Sequence, residues 1–433
     1  AALLLGDEDA ARAALERAAA TSGEDYGALA TTRRQLGLVS ELTGLGGAEL
    51  LALLAGPAVA HFCGHRIGAE GEAARFPAAA EAQVAAAIED EVAARRPRYA
   101  YGALASGADI LWAEALLRGG AELHAVLPFD RDEFVATSVA PAGGAWVERF
   151  ERCIAAAERV SYATADAFLG DDVLFRYGTE LAMGLALLRA RFLAADVRQL
   201  ALWDGEPAAG AAGTAIDVAT WRRSGHEASV IAPPGAAAGG GGPGGAAASP
   251  ARAPSGRVVR SMLFADVKGF SKLTDEQLPR FASEVLGAFA AVLARYGGEV
   301  EHQNTWGDAL YAVIADPVRA ADCALSLQAA IGAIDFEAAG LPPHLSMRMG
   351  AHVGPVFPTH DPVLDKLAFM GSHVSRTARI EPVTPPGEVY VTEQFAAALE
   401  LDPADPFACD YAGHLPAAKD YGRMRMYRLY RAS

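Results

Sequence analysis

The chain has 433 residues, enough for two to four domains that each bury a core. Its composition, 52% hydrophobic, 21% charged and 8% aromatic, is that of a globular protein and excludes a disordered or fibrous chain. With 53 acidic against 37 basic residues the formal charge is -16, which opposes nucleic acid and anionic lipid as partners. The most apolar stretch, residues 181–197, is cut by Arg189 and Arg191, so no membrane span is expected. Four cysteines, Cys63, Cys153, Cys323 and Cys409, lie far apart without a CxxC pair; a reducing compartment, the cytoplasm, is the expectation. The first residues show helical spacing with neither a charged n-region nor a cleavage motif, so no export signal is expected.

Residues 1–55 have apolar positions at helical spacing (Leu3, Leu4, Leu5, Ala11, Ala14, Leu15, Leu36, Leu38, Leu42), broken at Gly23 and at 44–47. This predicts a helical hairpin or two. From about residue 58, short apolar runs at 59–63, 99–104, 123–127, 199–203 and 228–231 alternate with helical stretches at 79–94 and 110–118. That alternation predicts an open, mostly parallel α/β sheet domain over 57–233. Ligands gather at the carboxyl ends of such strands, and here those ends are glycine-rich. Gly64, His65, Arg66, Ser106, Gly107, Asp109 and Glu114 are the candidate ligand residues, with backbone N–H groups near Ser106 offered to a phosphate or ribose. The competing reading is that the glycines only permit tight strand-to-helix turns and that His65 is a satisfied turn residue.

Residues 234–256, built around GAAAGGGGPGGAAASPARAPS, have no side chains for a core and read as a flexible linker. Beyond it, the apolar run 258–265 ends in Asp266, and Thr274 with Gln277 reads as a capping box opening a helix. Extended runs at 298–305 and 309–314 meet at Trp306-Gly307-Asp308, a hairpin signal. If the first strand pairs with this hairpin, Asp266 and Asp308 end on one edge and face each other across a hard cation. Magnesium completes an oxygen shell with phosphates and water, and the turn at Gly269, Phe270 and Ser271 can turn its N–H groups to a triphosphate. Either aspartate alone is an ordinary turn residue; the pair in this setting is the signal.

These segments carry a resemblance. FADVKGFS at 264–271, WGDALYAVI at 306–314, RMGAHVGPVF at 348–357 and MGSHVSRTARIEP at 370–382 resemble, in order and spacing, the motifs of the class III nucleotide cyclase catalytic domain over 257–433. The resemblance implies a ferredoxin-like βαββαβ core that pairs head to tail as a homodimer. It also implies two Mg²⁺ or Mn²⁺ ions on Asp266 and Asp308, with the carbonyl of Val267 as a further ligand. The implied reaction closes a nucleoside triphosphate to a 3′,5′-cyclic nucleotide with release of pyrophosphate. Arg379 matches the transition-state arginine, acting from the second protomer, and Lys419 is the candidate triphosphate contact.

Three positions depart from that pattern. Ser375 stands where the family has a transition-state asparagine. Asn304 replaces the adenine-reading lysine, and Ala368, beside Phe369, replaces its aspartate partner. The guanine-reading pair is absent as well. Asn both donates and accepts, and a cyclase without purine readers is similar to the bacterial pyrimidine cyclases of phage defence, which make cyclic UMP or CMP.

Upstream, Gly107-Ala108-Asp109, Glu114 and Leu127-Pro128 resemble the Rossmann-like superfamily that includes lysine-decarboxylase-like phosphoribohydrolases and DprA-type proteins. GHR at 64–66, RFP at 75–77 and SGAD at 106–109 resemble the α/β segment that accompanies tetratricopeptide-like helices in bacterial signalling proteins. The expectation is therefore a multidomain α/β and α+β chain: helices at 1–55, a ligand-binding sensor at 57–233 taking a small nucleotide-like molecule, and a cyclase at 257–433. The alternatives are a catalytically weak cyclase fold that binds nucleotide or dimerises, and an N-terminal domain that is itself an enzyme such as an N-glycosidic hydrolase.

Overall fold

The computed structural model describes residues 2–22, 25–45, 47–54, 56–68, 74–208, 210–234, 256–403, 406–419 and 421–432. The expected linker lies almost entirely outside the described residues. The chain divides into two compact units.

The first unit comprises 1–127, 131–161 and 185–248. It opens with helices α1 (Glu8–Ser22), α2 (Tyr26–Thr43) and α3 (Gly47–Ala52). They close over Leu3, Ala11 and Leu50, which accounts for the helical spacing of 1–55. The Asp25 carboxylate caps α2 by accepting from the Ala28 N–H, and Gly44 ends it at φ 70°, a conformation glycine adopts freely. Strands β1 (Val59–Gly64), β2 (Tyr99–Gly102), β3 (Glu122–Leu127), β4 (Arg159–Tyr162), β5 (Val197–Leu202) and β6 (Ala228–Ile231) form one sheet in the order β4-β3-β2-β1-β5-β6. The pairs β1–β2, β2–β3, β1–β5 and β5–β6 are parallel. Strands buried on both faces read as continuous apolar runs, as β1 and β3 do. Helices α4 (Glu81–Arg95), α5 (Ala108–Arg118), α6 (Arg131–Ser138), α7 (Gly144–Ala156) and α9 (Thr214–Arg223) connect them, and α8 (Asp172–Leu193) intervenes before β5.

The second unit contains 249–433 together with 128–130 and 162–184. This unit therefore takes in residues 162–184, which lie within the stretch 57–233 read from sequence as the sheet domain. Its strands are β7 (Val258–Lys268), β8 (Val300–Trp306), β9 (Ala309–Ile314), β10 (Ser346–Asp361), β11 (Lys366–Met370), β12 (Val389–Thr392), β13 (Phe407–Pro416) and β14 (Arg423–Arg431). The sheet is mixed, ordered β13-β14-β12-β10-β7-β9-β8, with β11 folded back on β10. Helices α10 (Leu278–Phe281) and α11 (Gly287–Ala294) connect β7 to β8, and α12 (Pro317–Gly332) connects β9 to β10. This βαββαβ run lies across the sheet as β10-β7-β9-β8. Asp316 caps α12 through the Arg319 N–H with Pro317 in its first turn, a start signal satisfied by the missing proline N–H. Its buried face, Ala320, Ala321, Cys323, Ala324, Leu327 and Ile331, is small enough to lie close on one side of the sheet. Short helices α13 (Ser372–Thr377) and α14 (Glu393–Leu399) complete the unit. Among the described residues no helix is long and apolar enough to cross a membrane, and all four cysteines are free.

Candidate active site

Alternation along β7 sends Met262, Phe264 and Asp266 to one face and Leu263, Ala265 and Val267 to the other. The second set is buried; Asp266 is half-buried at the end of the strand. Beside it the two-residue loop Gly307-Asp308 joins β8 to β9, with Trp306 opposite Ala309. Gly307 supplies the positive φ, 64°, that the tight turn requires. The loop brings the Asp308 carboxyl into hydrogen-bonding contact with Asp266, and burial together with the Asp266 charge pushes Asp308 up to about 6. Two acids expected on one edge are therefore adjacent.

Opposite Asp266 on β10 stands Arg348. Its guanidinium donates to the Asp266 carboxylate at 3.0 Å and to the Pro382 carbonyl at 3.0 Å, and its Nε lies 2.6 Å from Glu381. Burial, partly offset by Arg348 and reinforced by the two aspartates, raises Glu381 to about 7. Gly350 makes this approach possible: a Cβ there would stand 2.7 Å from the Glu381 nitrogen. Sequence reasoning quoted the RMGAHVGPVF and ARIEP motifs but assigned nothing to Arg348 or Glu381. The missing signal was the register that puts residue 348 across from 266.

At Gly269 the chain turns with φ 101° into a short 3₁₀ turn over Phe270–Lys272. The leading N–H groups of such a turn have no acceptor within it. The capping box is half-formed: the Thr274 N–H donates to the Gln277 side chain at 3.0 Å, and the helix starts only at Leu278. Val267 has its side chain buried on the opposite face, with its backbone paired to Met347. Asn304, half-buried on β8, faces Tyr311 across the ladder, and Tyr311 stacks on Phe264 at 4.6 Å. Ala368 and Phe369 are buried on β11. Ser375 is exposed on α13, and Arg379 follows in the turn after that helix. Arg379 and the segment of Lys419 are tied together by the Ala418 N–H donating to the Arg379 carbonyl at 3.1 Å; Lys419 itself is exposed at φ 56°.

Among the described residues no cluster of three or more His, Cys, Asp or Glu side chains has metal-binding geometry. A cation held by Asp266 and Asp308 would therefore need backbone carbonyl, water or phosphate oxygens to complete its shell. The site fits that role, because two hard oxygen acids held in contact repel each other and a divalent ion relieves the repulsion. Residues 255–430 match the family model described as the adenylate and guanylate cyclase catalytic domain. This segment is a cyclase catalytic domain. Solved structures similar to the cyclase domain include the adenylyl cyclase CyaB from P. aeruginosa, at 18% identity over 41% of this chain and 96% of that one, TM-score 0.36. The guanylate cyclase domain of RhGC from Catenaria anguillulae, in complex with GTP, matches at 19% identity over 40% of this chain and 97% of that one, TM-score 0.35. Adenylate cyclases from Trypanosoma brucei match at 20% identity over 40% and 88%, TM-score 0.35. No curated protein matches the chain.

The glycine-rich strand ends of the first unit present a different picture. A Cβ on Gly64 would lie 2.4 Å from the Ala108 Cβ, and one on Gly107, at φ 99°, 2.4 Å from the Ile67 nitrogen; both glycines are required by the turn. The backbone N–H groups of Ala105, Ser106 and Ala108 donate to Asp109, Ser138 and His65, so they are already paired. His65 is buried and meets Asp204 at 3.0 Å. Arg75, from the RFP motif, forks onto Asp204 at 2.6 and 2.7 Å. Burial opposes the charge on Asp204, yet these partners hold it at about 2. Asp109 is pushed up to about 7 by burial, against N–H donors from Ala105 and Gly64 and the charge of Arg66. Glu114 is not part of this cluster: it lies further along α5, where Arg149 on α7 grips it at 2.6 and 2.8 Å. Arg75 and Asp204 were missed because only folding joins β1 to the end of β5.

Proposed function

We propose that the chain is a nucleotide cyclase that converts a nucleoside triphosphate into its 3′,5′-cyclic nucleotide and pyrophosphate. The observation that carries this reading is the contact between the Asp266 and Asp308 carboxyl groups. Asp266, Asp308 and the Val267 carbonyl would hold two Mg²⁺ or Mn²⁺ ions, which when bound would acidify the ribose 3′ hydroxyl and neutralise charge on the leaving pyrophosphate. The 3′ hydroxyl gives its proton to solvent water, its oxygen bonds the α phosphorus, and the bond from the α phosphorus to the α–β bridging oxygen breaks, that oxygen keeping the electron pair and leaving as part of pyrophosphate. Gly269, Phe270 and Ser271 meet the phosphates through their N–H groups, and Lys419 adds a charge. Arg379, always charged and forked, stabilises the growing charge on the α phosphoryl, with Ser375 orienting the ribose.

Arg379 and Lys419 act from a second copy of the chain. Support comes from exposed apolar side chains on the β8–β9 and β10–β11 hairpins: Trp306, Leu364, Leu367 and Met370 are 45–56% exposed, a patch suited to a homodimer interface. At the base, Asn304 offers one amide and Ala368 with Phe369 only apolar surface, which supports a pyrimidine nucleotide as well as a purine. The exposed Ser375 favours a second reading, a cyclase fold that binds nucleotide with little turnover. We assign the sheet domain a sensory role for a small nucleotide-like ligand, supported by the charged cluster where the strand order reverses between β1 and β5. Free cysteines fit work in the cytoplasm. Incubation of the full chain with ATP, GTP, UTP and CTP and Mn²⁺ or Mg²⁺, with chromatographic product analysis, tests the proposal. A cyclic nucleotide from at least one substrate is expected; none from any overturns the cyclase reading in favour of the binding module.

A further inference from the structure

The cyclase unit includes a segment that lies far upstream of it in sequence. Residues 162–184 pack in this unit, and their polar contacts converge on α13. Thr164 Oγ1 lies 2.9 Å from His373 Nε2; His373 Nδ1 lies 2.7 Å from His352 Nε2; His352 Nδ1 lies 2.8 Å from Thr392 Oγ1. All four residues are at most 1% exposed. Burial, then neighbouring positive charge, holds both imidazoles well below their usual pKa, so each is neutral with one donor and one acceptor nitrogen. The three bonds must then run in one direction along the row, and each imidazole depends on the hydroxyl at its end. Without Thr164, the Nε2 of His373 is a buried polar atom with no partner, an expensive condition.

The surrounding contacts are equally specific. The Ser372 hydroxyl donates to Asp166 at 2.7 Å. Arg257 donates twice to the Ala167 carbonyl, at 3.0 Å each, and lies 4.7 Å over the Phe357 ring. The Tyr177 hydroxyl donates to the Val353 carbonyl at 2.9 Å. A Cβ on Gly354 would stand 2.2 Å from His373 Nδ1, and one on Gly184 2.1 Å from the Ala397 carbonyl. Space is thus cleared on the sheet for the His373 ring and on α8 for α14.

We infer that residues 162–184 form a strap that sets the position of α13, with Thr164 and His373 as positioning residues for Ser375 and Arg379. The inference rests on the cyclase reading for its catalytic consequence and on the contacts alone for the strap. The family match begins at residue 255, so the functional catalytic unit is larger than the matched segment. Thr164 acts through His373 on a helix of only six residues, too short to hold itself.

The test uses the full chain with Thr164→Val, Thr164→Ser and Asp166→Ala. Thr164→Val is expected to lower kcat about ten- to a hundredfold with KM for the triphosphate within about twofold, and Thr164→Ser to restore it. Hydrogen exchange across 372–380 should quicken in Thr164→Val and Asp166→Ala while that of 258–268 stays as in the wild type. Exchange across 372–380 unchanged in both variants overturns the strap, whatever the activity. Faster exchange at 372–380 without any turnover in the wild type supports the strap and strikes the cyclase reading instead. Faster exchange with kcat unchanged overturns the positioning role.

Discussion

Asp266 and Arg348 stand directly across from each other on β7 and β10, and the arginine donates to the carboxylate at 3.0 Å. The same guanidinium holds Glu381 and the Pro382 carbonyl, so one cation joins Asp266 to the chain that follows Arg379. An eleven-pair antiparallel register from Ser346↔Lys268 to Val356↔Val258 fixes the relationship. A slip of one residue would turn Arg348 to the opposite face.

On the proposed two-metal reading, Asp266→Asn and Asp308→Asn should each lower turnover about a thousandfold or more, since each would remove one of two anionic metal donors. The fold should survive: at Asp308 the change relieves a repulsion, and at Asp266 the Asn amide oxygen can still accept from Arg348, which keeps its contacts with Glu381 and the Pro382 carbonyl. Steady-state kinetics and thermal melting of the same samples check both halves of the statement.

Mixing inactive Asp266→Ala and Arg379→Ala chains should restore activity to about a quarter of wild type, the yield of one intact site in half of the dimers. Each variant alone should stay inactive. Activity measured against mixing ratio checks it, and a flat response would speak against sites shared between copies.

The sequence carried much of this site. The apolar run ending at Asp266 and the Gly-Asp hairpin were local signals, and β6 at Ala228–Ile231 coincides with its predicted span. Other parts needed contacts that no local pattern encodes. Arg348, Glu381 and Asp204 depend on strand register, and β4, at Arg159–Tyr162 with only partial burial, lacks a clear apolar run. Residues 162–184 read as part of the sheet domain because they follow it in the chain, whereas Thr164, Asp166 and Tyr177 have their partners two hundred or so residues later.

Asp109 gives the first unit a pH signature. Its carboxyl is raised from 3.8 to about 7, so the folded state holds the proton more tightly than the unfolded one. The stability linked to this proton is fully present below about pH 4 and is lost as pH rises towards 7. Asp109→Asn, which carries no charge to bury, should therefore gain on the wild type between pH 5 and pH 8, by on the order of several degrees in Tm. Melting curves of both proteins at the two values check the sign.

Gly354→Ala should destabilise the second unit by about 1–3 kcal/mol, because the added methyl meets the His373 ring. Gly287→Ala on α11, where a Cβ meets nothing within 4 Å, should instead stabilise by about 0.5–1 kcal/mol. Denaturant unfolding of the two variants distinguishes close approach from helix propensity.

Counting Mn²⁺ ions bound per chain, by paramagnetic resonance with a non-cyclisable triphosphate analogue present, tests the paired-acid account most directly. The wild type should bind two ions per active site, and Asp266→Asn and Asp308→Asn should each lose that binding while remaining folded. Equal Mn²⁺ binding by wild type and both variants would contradict the account.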